Sequence, residues 1–217
     1  MKKRFLTMLA LLSVPSVAQA DVRATYSDGS VIEINDEGAM RGNLVSEGKW
    51  LLHVEGADYL LVNDGGAIRV LDPVIVEQVA NTYTPELFTM ILGEVPPLAA
   101  HPVGDVMIDG RPATGYRIDD ERNVSFAISN DPSLSGIGEA ITHQFRIWTF
   151  MQGPLGSLAA PLADMLASGT AVRVGNVDLV SVEEVEIDET NFAVPGEPLD
   201  WFATEEVMLR LGLIKVG

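Results

Sequence analysis

The sequence predicts an α+β protein. Its core element is a large curled antiparallel sheet, an incomplete β-barrel of about 11 strands, with inserted helices covering the concave face. Three observations carry this. Turn signals recur through the first third of the chain at short, regular spacing. The segments between them alternate in hydropathy or are apolar throughout. Stretches with helical periodicity then separate one group of strands from the next.

The turn signals are Asp28-Gly29, Glu37-Gly38, Glu47-Gly48, Glu55-Gly56 and Asp64-Gly65-Gly66, with glycines 9, 10, 8 and 9 residues apart. Glycine supplies the positive φ that tight hairpins require. Strands at this repeat indicate an antiparallel meander, sandwich or barrel. Six strands are expected, at 22–27, 30–35, 39–45, 49–54, 58–62 and 67–72. Val31-Ile32-Glu33-Ile34-Asn35 alternates. Trp50-Leu51-Leu52-His53-Val54 and Tyr59-Leu60-Leu61-Val62 are apolar on both faces, the mark of central strands covered on two sides.

Asp72-Pro73 then opens a helix, with aspartate as cap and proline at the first position. Thr84-Pro85-Glu86 repeats the start signal, and Leu87, Met90 and Ile91 continue the apolar face. Strands resume at 103–109, 112–118 and 122–129, turning at Asp109-Gly110 and Asp119-Asp120-Glu121. Two helices follow, at 138–152 and 155–168, broken at Gly153-Pro154. Pro161 shortens or kinks the second. Two strands at 171–177 and 178–188 come next, the second with an acidic outer face, then a short edge segment at Phe192-Ala193-Val194-Pro195. A last helix over 204–214 is expected to start at Thr204 as N-cap.

Residues 1–20, MKKRFLTMLALLSVPSVAQA, have the layout of a secretory signal peptide. A basic start is followed by an apolar stretch too short to span a bilayer, then Ala18-Gln19-Ala20 with cleavage expected after Ala20. The expected mature chain is a single domain, 21–217, soluble in the bacterial periplasm and not membrane-spanning. It carries 11 basic and 31 acidic residues, a net charge of −20. That field repels nucleic acid and anionic headgroups. It suits a basic envelope partner, or equally reflects adaptation to a salty medium. With no cysteine in the chain, thiol catalysis, thiolate metal sites and disulfides are excluded.

No catalytic motif is present. There is no GxSxG, and Gly153-Pro154-Leu155-Gly156-Ser157 reads as a helix break. Gly65-Gly66 lies between strands, so it is no phosphate loop. His53, His101 and His143 have no metal-ligand spacing, and no metal or cofactor is expected. The acidic runs at 119–121 and 183–189 read as solvated surfaces.

What stands out is apolar. Phe145, Trp148, Phe150, Met151, Leu155, Leu158, Leu162, Met165 and Leu166 exceed the needs of one narrow helical stripe. They form either a helical pair packed into the core or a lid over an apolar groove. On the second reading, the expected groove lining is Trp50, Leu52, Tyr59, Leu61, Phe145, Trp148 and Met151.

The order of elements resembles the LolA/LolB-type lipoprotein-carrier superfamily. The likeness rests on the meander from "VRATYSDGSVIEI" through "YLLVNDGGAIRVLD", the "MIDGRPATGYRI" hairpin and the close "VDLVSVEEVEIDETNFAVP". The resemblance implies a half-barrel with helices in its mouth and a lipid, acyl chain or lipoprotein as ligand. The marked acidity and the 137–169 helical insertion depart from the carriers. The reading is therefore a non-catalytic periplasmic binding protein. A closed-core interaction module of the envelope, without a ligand, is the alternative.

Overall fold

The computed structural model describes residues 21–43, 49–83, 96–118, 123–151, 156–159 and 161–214. The signal segment, the Glu47-Gly48 turn, the helix expected from Thr84, the Asp119–Glu121 turn and the Gly153-Pro154 break lie outside them.

The meander forms as expected. Strands β1 (Val22–Tyr26), β2 (Val31–Ile34), β3 (Met40–Gly42), β4 (Lys49–Val54), β5 (Ala57–Asp64) and β6 (Ala67–Leu71) pair antiparallel in sequence order. The Glu55-Gly56 and Gly65-Gly66 loops have φ above zero at both central residues, 52° and 77° in the first and 61° and 93° in the second. Such two-residue turns match the strands' twist and set register directly, pairing Val54 with Ala57 and therefore His53 with Asp58.

Helix α1 (Pro73–Thr82) follows, and the Asp72 carboxylate accepts a hydrogen bond from the Val74 amide at 2.8 Å. The second strand group is β7 (Ala100–Ile108), β8 (Arg111–Ile118) and β9 (Phe126–Ser129). The helical insertion comprises α2 (Ser135–Met151), α3 (Gly156–Ala159) and α4 (Leu162–Ala167). The stretch expected as one helix over 155–168 is thus two pieces, with Pro161 at the N-cap of the second. Strands β10 (Thr170–Val174) and β11 (Val177–Glu184) and helix α5 (Trp201–Arg210) complete the chain. The β10–β11 turn falls at Gly175-Asn176, two residues earlier than expected, because Gly175 takes the positive φ.

All eleven strands form one antiparallel sheet, ordered β6-β5-β4-β3-β2-β1-β11-β10-β9-β8-β7. β6 and β7 remain edges, so the curled sheet is not closed into a barrel. β1 pairing with β11 joins the two strand groups. Tyr26 of β1 strengthens the join by donating its hydroxyl to the Ala171 carbonyl at 3.1 Å. Burial pushes its phenol pKa well above the usual value.

Both faces of the meander are covered, as its two-sided apolar strands require. Leu51, Leu60 and Val62 pack with Val76 and Val79 of α1, Ile147 of α2, and Val207 and Met208 of α5. Leu52 faces the other way, into a cluster with Ala39, Ile187 and Phe192. That second cover is the 185–194 segment. Within it lies a 3₁₀ turn, Glu189–Phe192, capped by Asp188; the short edge segment expected at 192–195 overlaps it at Phe192, and Ala193 is extended.

The final helix starts three residues before the expected position. Asp200 is its N-cap and accepts from the Ala203 amide at 2.9 Å, while Thr204 is fully buried inside the first turn. Asp200→Ala is expected to cost about 1 kcal/mol in urea unfolding, the usual loss for an N-cap. A loss near zero would return the cap to Thr204.

Candidate binding site

Helix α2 crosses the sheet closely because small residues let it. A β-carbon added at Gly138 would lie 2.7 Å from the Thr170 hydroxyl and 3.0 Å from the Gly169 carbonyl. This tight seat on β10 leaves a cleft of about 420 Å³ beside the helix. Asp131, Glu139, His143, Arg146 and Ser168 are among its lining residues. A wider trough of about 750 Å³ lies against β7–β9, lined by Val106, Met107, Pro112, Ala113, Thr114 and Ile128. Both cavities have Ser129, Asn130 and Asp131, at the end of β9, among their lining residues. Met107, in the wall of the trough, is 66% exposed.

The seven residues expected to line one groove do not share one. Trp50, Leu52, Tyr59 and Leu61 all point to the face away from α2. Leu52 is wholly buried against Ile187 and Phe192, with Tyr59 and Leu61 packed beside it. The Arg41 guanidinium sits over the Trp50 ring, 3.9 Å from its centroid. Phe145 and Trp148 lie on the helix side, stacked with centroids 5.5 Å apart and packed on the core that includes Leu162 and Met165. The side chain of Met151 is outside those described. Apolar strands signal burial on both faces, but period-2 alternation does not say which element covers which face.

Where α2 passes the β4–β5 hairpin it builds a polar cluster that sequence spacing did not reveal. His53 and Asp58 are direct cross-strand partners, their Nδ1 and Oδ1 atoms 2.7 Å apart. His143 comes down from α2, its ring centroid 4.2 Å from that of His53 and its Nδ1 3.5 Å from Asp58 Oδ1. Arg146, one turn further along, donates from Nη2 to Asp58 Oδ2 and contacts His143 Nδ1 at 2.9 Å. A guanidinium can only donate, so the His143 Nδ1 must present its lone pair. Partial burial, with His53 close by, holds the His143 pKa below the usual histidine value. The His53–Asp58 pair follows from the two-residue turn at Glu55-Gly56. The approach of His143, 85 or more positions on in the chain, has no local signal.

The fold defines an α+β protein on one open antiparallel sheet, with two cavities that share Ser129, Asn130 and Asp131 in their walls. Among the described residues no helix is long and apolar enough to cross a membrane. No family model and no curated protein matches the chain. Among solved structures, a crystal structure of MucB in complex with MucA(peri) matches at 17% identity, covering 54% of this chain and 41% of that one, with a TM-score of 0.19. The chain thus spans less than half of that protein, and so low a score carries no argument.

Proposed function

We propose that this chain is an exported, non-catalytic binding domain of the bacterial envelope. Its ligand is amphipathic, an acyl chain with a polar headgroup. The observation that carries the reading is the exposed Met107 in the wall of a mostly apolar trough, which shares Ser129, Asn130 and Asp131 with the cleft beside α2. A flexible thioether adapts to an irregular apolar ligand. Val106, Pro112, Ala113 and Ile128 extend that apolar wall, and Glu139, His143 and Arg146 offer hydrogen bonds in the cleft. Concave, mostly apolar sites with a few placed polar groups are the usual form of small-ligand pockets.

The test is native mass spectrometry of the mature protein, purified from periplasm without detergent, followed by lipid extraction. A discrete adduct of lipid mass is expected. It should disappear in Met107→Asp, a change at an exposed position that leaves the thermal unfolding midpoint unmoved. A clean apo mass for the unaltered protein would overturn the reading. The closed-core interaction module would then stand, favoured by the packing of Leu51, Leu52, Leu60 and Val62 into buried clusters on both faces of the meander.

A further inference from the structure

We propose that His53, Asp58 and His143 form a binding site for a divalent transition metal, zinc in the first instance, with Arg146 as the cation that holds the site until the metal displaces it. The ligand-capable atoms of the three residues all lie within 4.8 Å of one another. Two imidazoles and one carboxylate are a donor set that zinc accepts, with three protein ligands and a fourth position for water.

The spacing suits the ion. Zinc–ligand bonds of about 2.0–2.1 Å in tetrahedral geometry place neighbouring ligand atoms about 3.3 Å apart. The His143 Nδ1–Asp58 Oδ1 separation of 3.5 Å is already there. The His53 Nδ1–Asp58 Oδ1 separation of 2.7 Å is a hydrogen bond and opens by roughly 0.6 Å once the metal replaces its proton. That proton moves to Nε2 of the same ring, so both histidines bind as neutral ligands.

The scaffold is firm. His53 and Asp58 are locked in register across a two-residue hairpin, and His143 is in the middle of the longest described helix. All three side chains keep some solvent contact, at 16–21% exposure, so an ion can enter. Arg146 is the competitor, because its guanidinium bonds the same carboxylate and the same His143 lone pair. It is half exposed, and a long flexible side chain leaves for water at little cost. The overall negative charge of the protein favours the exchange.

The experiment is calorimetric titration of zinc chloride into the untagged mature chain stripped of metal, with cobalt absorption as a second readout of ligand geometry. One site per chain is expected, with a tetrahedral cobalt spectrum. Asp58→Asn and His143→Gln should each weaken binding more than the roughly 10–100-fold that loss of a mere supporting partner costs. Arg146→Gln should tighten it, because a competing cation is gone. That gain would not arise if Arg146 only braced the helix, and it does not depend on the stability of a ligand-deleted variant. No zinc-specific heat, or equal binding by Asp58→Asn and the unaltered chain, would overturn the proposal. Metal bound only by the scattered surface carboxylates gives that second result.

Discussion

Replacing Glu33 by alanine is expected to remove about 3–5 kcal/mol of folding stability, the loss seen when one partner of a buried ion pair is deleted. Glu33 is only 4% exposed and serves two arginines. Arg23 reaches it at 2.7 Å and Arg41 at 3.3 Å. Arg41 is the partner that makes the change costly. It packs over Trp50 and donates to the Asn191 carbonyl at 3.1 Å. Without Glu33 its part-buried charge, bonded to the 185–194 segment, loses that ion pair. Burial already lowers its pKa, against the opposing pull of Glu33. Arg23 is more exposed, so Arg23→Ala should cost about 1 kcal/mol or less. Urea unfolding of both variants checks the contrast. A Glu33→Ala loss no larger than that of Arg23→Ala would mean that the triad does not anchor the segment.

The second large effect tests the two-sided burial of the meander. Leu52 and Leu60 are neighbours in the ladder region, both fully buried, on opposite faces. Each leucine-to-alanine change should cost about 2–5 kcal/mol, combining lost transfer energy with the cavity left behind. Because the two side chains contact different clusters, the losses should add in the double variant. A sheet covered on the helix side alone would lose heavily at Leu60 and by less than about 1 kcal/mol at Leu52. Denaturant midpoints for the two single variants and the double variant decide between these outcomes.

Local chemistry carried most of the fold. Glycines paired with acidic residues marked meander turns at Gly29, Gly38, Gly56 and Gly65, where φ is positive, and β4 matches its expected bounds. Asp72-Pro73 marked the start of α1 through a cap bond that the structure contains. The misses have a common cause. Thr204 looks like a cap in sequence, yet Asp200 wins the position once Leu199 is tied to the Val70 carbonyl at the sheet edge. The 192–195 stretch reads as an edge segment, but its first residue, Phe192, closes a 3₁₀ turn over 189–192 that the Asp188 carboxylate winds by capturing the Thr190 amide and hydroxyl. In both, a side chain competing for backbone donors overrode a weak local preference.

The same division holds for the candidate sites. The two-sided apolar character of β4 and β5 was legible, and so was the surplus of apolar residues in the helical insertion. Their assignment to a shared groove was not, because Leu52 and Phe145 lie on opposite sides of the sheet. His53 and Asp58 could be paired from the turn between them, whereas His143 and Arg146 join them only through the path of α2.

The sequence by itself determined that this chain builds an antiparallel meander and interrupts its strands with helices. It also determined a surface strongly negative and free of thiols. These are properties of composition and of short-range periodicity, in which each residue's preference is set by neighbours a few positions away. Tertiary structure alone decided which face each element covers, where the two cavities lie, and that two histidines, an aspartate and an arginine converge. Those outcomes depend on the packing of α2 across β3, β4 and β10, where close approach at Gly138 and contacts between residues far apart in sequence set the geometry.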